Sequence, residues 1–398
     1  MEIISLVYTI PYLLFLLFLI LLMFLEFYQL KYNRGITGIR LIVMISFLLF
    51  FGLKGFVGRD VFLYYDLFSN LPTINHWNSD FFKLNDYEVG FKMLMSVSKT
   101  IVPNFFFFSF LSVFIDAMIL HFIIKRYSRY YVLAFIIYIV FYGYIFEMDQ
   151  IRNAKAVMLF LLSLRYVLNN KFLSYCLLNL IGFTFHSSSI LFLFIYPFLK
   201  KRFSLTFYAV VFIIGIVLFV LQIEYIKPMV MYVASKMGGV FQTKAEIYIA
   251  SPIYGKDMFG ITLGFFERIV SYCLFCFIYY KKLIDRDKEN LLFINLYVLF
   301  FIFYFYFAEF IVLAVRTSAL FIAAYFVLYP NVLFEINRKL TRQLVVIMLT
   351  IFMFFRMAAY VKYIEYKYEN ILFDTSSYKI RKSYADESAN YLQELDKK

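Results

Sequence analysis

The chain has 398 residues, of which 63% are hydrophobic, 23% are aromatic and only 16% are charged. A soluble protein has about a quarter of its residues charged, so this composition excludes a water-soluble globular protein and indicates a membrane protein. Lys and Arg number 39 against 26 Asp and Glu, a net charge of +13. We attribute this excess to cytoplasmic loops that face anionic lipid, and we expect no nucleic-acid partner.

Twelve apolar stretches predict membrane-spanning helices, since about 20 apolar residues cross a bilayer. The first runs from Ile4 to about Phe27. It lacks a basic start and a cleavage site, so we expect it to remain as a span and not to be removed as a signal peptide. The others are 40–57, 104–124, 130–146, 152–168, 172–183, 186–199, 204–224, 263–280, 290–307, 310–329 and 343–362. The sequence therefore predicts an all-α polytopic membrane protein with about twelve transmembrane helices.

The positions of the basic residues predict the orientation of these spans. If the N-terminus lies outside, the six connections that become cytoplasmic all carry Lys or Arg, at residues 31–40, 125–129, 165–171, 200–202, 281–288 and 338–342. This alternation requires the stretch from Phe172 to Leu199 to break near Thr184-Phe185-His186. Two half-length helices that meet at a polar point resemble the broken helices that line membrane-embedded sites.

The predicted domain organisation is one membrane-embedded domain, residues 1–362, with a tail at 363–398. Two long outer loops interrupt the domain, at 58–103 and 225–262, and the first ends in an amphipathic stretch that we expect to lie in the interface. The tail is charged and rich in tyrosine, and we expect it outside the membrane, in the periplasm or extracellular space. A short outer helix and disorder are the alternatives for its structure. The three cysteines lie in apolar runs, and we predict neither a metal site nor a cofactor: Cys176, Cys273 and Cys276.

Candidates for chemistry are the ionisable residues in or beside the spans, because a charge in hydrocarbon is costly. In the predicted topology, ten of them come from different segments yet all lie near the outer face: Arg59, Asp60, Glu88, Arg152, Lys155, His186, Glu267, Arg268, Glu309 and Arg316. Arginines at this depth suit the diphosphate of a lipid-linked substrate, since a guanidinium binds phosphate oxygens through two parallel hydrogen bonds.

Structural roles are the alternative for the same residues. They are an ion pair of Arg59 with Asp60, a helix-end position for Arg152, a pairing of Arg316 with Glu309, and a cap of the broken helix for His186. Asp116 lies near mid-membrane in the third span, and there we predict a hydrogen bond between helices.

Five stretches, in order along the chain, are similar to motifs of a known family. They are Gly58-Arg59-Asp60 with Tyr64 and Phe68, Glu88-Val89-Gly90-Phe91, Ile151-Arg152-Asn153-Ala154, Phe185-His186-Ser187-Ser188, and Arg316 ahead of Ala324-Tyr325-Phe326. Together they resemble the EpsG-like group of bacterial polysaccharide polymerases, which is related to Wzy-type O-antigen polymerases. Lys155 departs from the pattern, because the family usually has an apolar residue there.

The resemblance implies a multi-span glycosyltransferase, similar to the GT-C superclass, in the bacterial cytoplasmic (inner) membrane. Such a polymerase moves a glycan from undecaprenyl diphosphate to the non-reducing end of a new lipid-linked repeat unit at the outer face. The expected partners are undecaprenyl-diphosphate-linked oligosaccharides, membrane lipids, a chain-length regulator and a flippase. Whether the product is O-antigen of a lipopolysaccharide, capsule or exopolysaccharide stays open.

On this interpretation, the diphosphate is bound by arginines and the acceptor hydroxyl is deprotonated by a general base. The diphosphate ligands are Arg59, Arg152, Arg268 and Arg316, and the candidate catalytic residues are Asp60 and His186, followed by Glu88.

Two other functions are alternatives. A flippase or exporter of lipid-linked sugars would have internal repeats and charges near mid-membrane, whereas here the charges lie near the outer boundary. A membrane O-acetyltransferase would need a His and Arg pair near the first span and an acyl-donor site on the inner face, and the sequence has no comparable cluster there.

Overall fold

A computed structural model describes residues 2–83, 87–250, 260–373 and 375–395 of the protein. Residues 84–86 and 251–259, in the two predicted outer loops, lie outside the described ranges. Within these ranges the protein is helical, with two isolated β-bridges and no strand. The α-helices described are α1 (Ile10–Lys31), α2 (Thr37–Phe47), α3 (Val61–Asn70), α4 (Val89–Ile101), α5 (Phe105–Tyr127), α6 (Tyr131–Tyr138), α7 (Tyr144–Met148), α8 (Ile151–Leu168), α9 (Phe172–Phe183), α10 (Ile190–Leu199), α11 (Leu205–Val220), α12 (Ile226–Met237), α13 (Gly239–Ala250), α14 (Leu263–Cys273), α15 (Tyr280–Arg286), α16 (Asn290–Phe305), α17 (Ile311–Ala319), α18 (Ala323–Glu335), α19 (Lys339–Val361) and α20 (Tyr378–Leu395).

Helices occupy all twelve stretches that the sequence predicts to span the membrane. Among the described residues, four are long and apolar enough to cross a bilayer, and two bent pairs bring the number to six if each pair is one span. The four are Leu6–Lys31, Phe105–Tyr127, Tyr131–Met148 and Lys339–Val361. Five shorter apolar helices lie at other predicted spans. A helical protein with several candidate spans is therefore confirmed, and the number twelve stays a prediction.

The predicted break between Phe172 and Leu199 is present. Helix α9 ends at Phe183, and a 3₁₀ turn, Ser187–Ser189, precedes α10. The two halves approach closely, because a Cβ on Gly182 would lie 2.6 Å from Oγ of Ser189. Polar residues at this point interrupt the helix, since their side chains form hydrogen bonds with backbone groups that would otherwise take part in helical hydrogen bonds.

The candidate span Tyr131–Met148 contains a π-helical segment, Ile139–Gly143. A π turn displaces the regular backbone hydrogen bonds and leaves carbonyl groups that need other donors. Arg356 of α19 supplies them, because its guanidinium donates to the carbonyls of Val140 and Phe141 at 3.3 and 3.2 Å. The same guanidinium lies 4.7 Å from the ring centroid of Phe141, and Arg356 is thereby accommodated inside the helical bundle.

The chain forms two compact units, one of Met1–Tyr196 with Tyr329–Lys398 and one of Pro197–Leu328. In the first unit, α8 is largely buried and packs against α5, α7 and α9. Phe160 of α8 stacks on Phe192 with the ring centroids 3.8 Å apart. Asn179 of α9 donates to the Ser163 hydroxyl of α8 at 3.1 Å. These contacts fix α8, whose N-terminus carries Arg152.

Residues of the predicted outer loop 58–103 pack into an aromatic core that they share with α5 and the start of α8. Helix α3 is part of this core and was not predicted, whereas the predicted amphipathic stretch forms α4. Lys99 of α4 donates to carbonyls at the C-terminal end of α3, including those of Phe68 and Leu71 at 2.9 and 2.7 Å. The buried core residues are Phe56, Val61, Phe62, Tyr64, Phe68, Leu71, Phe81, Phe91, Met95, Phe105, Phe108 and Ile151.

The C-terminal segment docks on the chain between α2 and α3, and α20 shows that the helical alternative for the tail is the correct one. Gly55 donates its N–H to the carbonyl of Glu369 at 2.9 Å, and Ile371 donates to Leu53 at the same distance. The docked segment thereby brings carboxylates from near the C-terminus to the chain that leads into α3, in the first unit.

Arg381 of α20 secures this docking. Its side chain is almost fully buried and donates to the carbonyls of Phe56, Lys367 and Glu365 at 2.7, 2.9 and 3.3 Å. It also forms an ion pair with the buried Glu369 at 3.7 Å. A buried guanidinium needs such partners, because an unpaired buried charge is strongly destabilising.

The second unit packs around α16, which contacts α11, α14, α15 and α17. Its interior is aromatic, and the ring centroids of Tyr272 and Phe301 lie 4.5 Å apart. The side-chain amide of Asn295 in α16 donates to backbone carbonyls at the C-terminal end of α10, those of Phe198, Leu199 and Lys201.

Candidate functional site

The first motif, Gly58-Arg59-Asp60, forms a turn against Asp149. Gly58 has a φ of 109°, and a Cβ there would lie 2.4 Å from Oδ1 of Asp149, so the position requires glycine. The N–H groups of Arg59 and Asp60 donate to that oxygen at 2.6 and 3.3 Å. The Tyr366 hydroxyl donates to Oδ2 at 2.5 Å. Burial raises the pKa of Asp149 above the usual range of aspartate, and these hydrogen bonds oppose the rise.

The side chain of Arg59 pairs with Glu365 of the C-terminal segment. Its Nε and Nη2 atoms lie 2.7 and 2.6 Å from Oε1 of Glu365. The Glu365 side chain is fully buried, whereas that of Arg59 is 48% exposed. The guanidinium is therefore held in place on one side and open to solvent on the other.

Tyr64 of the same motif connects α3 to α8. Its hydroxyl donates to the backbone carbonyl of Asp149 at 2.9 Å. The ring packs in the aromatic core around α3 and α4, and it meets Phe91 of the second motif with centroids 5.3 Å apart. The first motif is thus anchored at the residues that immediately precede α8.

The second motif begins with Glu88, which forms an ion pair with Arg152 of the third motif. Nη1 of Arg152 lies 2.6 Å from Oε2 of Glu88, with side chains 24% and 17% exposed. The other oxygen of Glu88 accepts from the backbone N–H of Ser187 at 3.3 Å. The ring of Tyr87 lies 4.9 Å from the Arg152 guanidinium. Glu88 therefore joins the N-terminal turn of α8 to the break after α9.

Gly90 of the second motif also contacts that break. It donates its N–H to the carbonyl of Thr184 at 2.7 Å. A Cβ at this position would lie 2.1 Å from Oγ1 of Thr184. The glycine is needed because any side chain would push α4 away from the break.

The fourth motif places His186 at the start of the 3₁₀ turn. Its Nδ1 lies 2.7 Å from the Ser188 hydroxyl and 3.2 Å from the Ser188 backbone nitrogen. The Ser188 hydroxyl in turn lies 3.0 Å from the amide of Asn153, the residue after Arg152. His186 thus caps the turn, as its structural alternative predicts, and it is tied through Ser188 to the third motif.

Four of the five motifs therefore meet at the N-terminus of α8, in the first unit. The structure brings together five of the residues predicted from the sequence: Arg59, Asp60, Glu88, Arg152 and His186. Sequence reasoning missed Asp149 and Glu365, which position Arg59 and the backbone of Asp60. Asp149 lies in the polar run just before Arg152, a signal that was visible, whereas nothing near Glu365 marks it as a partner of a residue 306 positions away.

Lys155 does not join this cluster, although it lies one turn after Arg152. It forms an ion pair with Asp116 of α5, with side chains 4% and 1% exposed, and donates to the carbonyl of Ser112 at 3.0 Å. This contact confirms the predicted bond between helices at Asp116. The charge of Lys155, at a position where the family usually has an apolar residue, is neutralised by the carboxylate of Asp116.

Arg268 lies in α14 of the second unit and is buried against aromatic rings. Its guanidinium lies 3.8 Å from the ring centroid of Tyr304, and its Nη1 atom donates to the carbonyl of Gly264 at 2.6 Å. Neighbouring Glu267 accepts from the Ser271 hydroxyl at 2.7 Å. Arg268 is thus a cation in an aromatic environment.

The carboxylate of Glu309 binds backbone N–H groups, whereas the sequence suggested Arg316 as its partner. It accepts from the backbone N–H groups of Tyr225, Ile226 and Lys227 at 2.6 to 2.9 Å, and so caps α12. Arg316 lies in α17 of the same unit and is exposed. A pairing of Arg316 with Glu309 is therefore not needed to explain the buried carboxylate.

Within the described ranges, no group of three or more His, Cys, Asp or Glu side chains is arranged to hold a metal ion. The cluster at α8 instead offers guanidinium groups, carboxylates, one imidazole and the positive end of a helix dipole. Such a set can bind an anionic group and exchange a proton with a hydroxyl.

Comparison with known proteins identifies one family. Neither the curated proteins nor the solved structures give a significant match. The family model described as "EpsG family" matches residues 38–373, most of the chain, and includes all five motifs. The chain therefore belongs to the EpsG family of Wzy-like polysaccharide polymerases and is a membrane protein of the polysaccharide-polymerase type.

Proposed function

We propose that the protein is a glycosyltransferase that joins oligosaccharide repeat units carried on undecaprenyl diphosphate at the outer face of the bacterial cytoplasmic membrane. The observation that carries this proposal is the meeting of four family motifs at the N-terminus of α8, where Arg59 and Arg152 lie beside carboxylates. The alternation of basic connections supports the outer location.

In the proposed reaction, the bond between the anomeric carbon of the donor glycan and the diphosphate oxygen breaks. Undecaprenyl diphosphate leaves with the electron pair of that bond. A hydroxyl at the non-reducing end of the acceptor repeat unit forms the new glycosidic bond and gives its proton to a base. The transition state carries negative charge on the leaving diphosphate, which fixed cations stabilise.

Arg152 and Arg59 are the proposed ligands of this diphosphate in the first unit. Each is held by one carboxylate, Glu88 or Glu365, and keeps part of its guanidinium exposed. A diphosphate competes with Glu88 for Arg152, so substrate binding releases Glu88. Because Glu365 is fully buried, we expect its pair with Arg59 to persist.

In the second unit, Arg316 and Arg268 are proposed as cations that bind phosphate groups of a lipid-linked substrate. Arg316 is exposed and can reach an anion directly. Arg268 lies under Tyr304, where a guanidinium keeps its charge in a low dielectric. Asp60 and His186 are the candidate bases, and Glu88 becomes one when it is released.

Deletion of the gene tests the proposal through the lipid-linked glycans that accumulate. We expect single repeat units on undecaprenyl diphosphate, accessible from the outer face, because they are made and exported but not joined. Single units that accumulate only on the inner face would instead identify a flippase. A polymer of normal length that lacks only acetyl groups would identify an O-acetyltransferase.

A further inference from the structure

The C-terminal segment carries an exposed apolar turn, which follows Glu369-Asn370 in the sequence. Asn370 closes the turn, because its carbonyl accepts from the N–H of Phe373 at 3.0 Å and its side chain accepts from the N–H of Leu372 at 3.1 Å. Leu372 is 61% exposed and Phe373 is 88% exposed, the highest value among the large hydrophobic residues in the described part of the chain. Two neighbouring apolar side chains are thus held away from the protein by a defined turn.

The residues just before this turn bind the π-helical segment Leu48–Gly52, which continues α2. The side-chain amide of Asn370 donates to the carbonyl of Leu49 at 2.9 Å, and the Tyr368 hydroxyl donates to the carbonyl of Phe50 at the same distance. The rings of Tyr368 and Phe50 also stack, with their centroids 4.3 Å apart. A π-helical segment leaves carbonyls that need other donors, so these contacts fix the turn beside the end of that helix.

The exposed side of that helix indicates what surrounds the turn. Apolar side chains that are 44% to 60% exposed form a stripe along it, at Leu41, Ile42, Ile45 and Leu49. Residues four positions apart share a helix face. In a membrane protein such a stripe is covered by acyl chains, since a long apolar face open to water is unfavourable. Leu49, at the end of the stripe, is the residue whose carbonyl binds Asn370.

We propose that Leu372 and Phe373 insert into the lipid bilayer and anchor the C-terminal segment to it. The partner is the acyl-chain region that also covers the stripe on α2. The sequence predicts the charged tail outside the membrane, and this turn is the part of the tail that enters it. The same segment carries Glu365, which binds Arg59, so the anchor ties the partner of that arginine to the membrane. Insertion of the turn does not depend on the proposed reaction.

Tryptophan fluorescence tests the insertion, because Trp77 is the only tryptophan of the chain. Trp77→Phe supplies a background without tryptophan, and Phe373→Trp then places the only tryptophan in the turn. The full-length protein is reconstituted in phosphatidylcholine vesicles with and without bromine on the acyl chains, which quenches tryptophan at close range. Ile45→Trp, in the stripe on α2, is the matched control in lipid. Lys379→Trp, at an exposed position of α20, is the control in water.

We expect brominated lipid to reduce the fluorescence of Phe373→Trp as much as that of Ile45→Trp, and iodide in the water to quench only Lys379→Trp. Leu372→Trp should behave like Phe373→Trp and supplies a second reading if one variant does not fold. Quenching of the turn by iodide and not by bromine would overturn the proposal, because the side chains then lie in water. Quenching by neither would overturn it as well, because a protein surface, such as a second copy of the chain, then covers the turn.

Discussion

Glu88 neutralises Arg152 in the structure, and a diphosphate that binds Arg152 has to replace it. The substitution Glu88→Gln removes the competing charge and keeps the size of the side chain. A hydrogen bond between charged groups contributes about 1.5 to 3 kcal/mol, and 1.4 kcal/mol is a factor of about ten in the dissociation constant. Because both side chains are partly exposed, we expect the lower end, a Kd for diphosphate reduced about 10-fold.

Calorimetric titration of the purified protein with inorganic diphosphate measures this change. Asp80→Asn is the matched control, because Asp80 forms an ion pair with Lys83 in the same segment, residues 58–103, but with side chains 69% and 67% exposed. It should leave the affinity unchanged. Arg152→Gln should weaken binding in both backgrounds. An affinity of Glu88→Gln equal to that of wild type, with both proteins folded, would refute the exchange of partners at Arg152.

Four further predictions concern the turn, the tail, the second unit and the topology. Gly58→Ala should lower the Tm in detergent, because Gly58 has a positive φ and a Cβ there would collide with Asp149. The control Gly35→Ala should leave the Tm unchanged, since no atom lies within 4 Å of its new Cβ. Equal Tm values for the two variants would show that the turn tolerates a side chain. Arg381→Met should expose the tail to limited proteolysis, since it removes the cation opposite the buried Glu369 and the donors to three carbonyls, at a cost of about 3 to 5 kcal/mol. A tail that stays resistant would contradict this anchoring role. Arg316→Lys should lose most polymer formation although it keeps the charge, because an ammonium cannot form two parallel bonds to phosphate, and normal polymer at wild-type protein levels would argue for a structural role. In a background without Cys176, Cys273 and Cys276, an impermeant thiol reagent added outside should label Tyr232→Cys but not Lys201→Cys, and labelling of the latter would refute the predicted orientation.

Positions of helices were predictable because long apolar runs have few alternatives in a membrane protein. The break after α9 was predictable as well, since His186 and the following serines are polar within an apolar stretch. Composition gave no sign of the π segment at Ile139–Gly143, because its carbonyls are satisfied by Arg356, more than 200 positions away. The bend of 60° between α17 and α18 likewise falls in an apolar sequence.

Motif residues at the candidate site were predictable, but the residues that position them were not. Arg59 and Arg152 are visible as cations near span ends. Their partners come from distant segments, and Glu365 lies in a charged tail where no single carboxylate is distinguished by its neighbours. Helix α3 was missed because the outer loop is rich in turn residues on either side of it. Local patterns predict elements, whereas long-range ion pairs emerge only from the packing.

Reconstitution tests the central claim most directly. The purified protein is placed in liposomes with a single oligosaccharide repeat unit on undecaprenyl diphosphate, and the lipid-linked products are separated by size. We predict a ladder of products that differ by one repeat unit, one undecaprenyl diphosphate released for each bond formed, and no ladder with Arg152→Gln. Repeat units that stay single while they move from one leaflet to the other would contradict the account and identify a transporter.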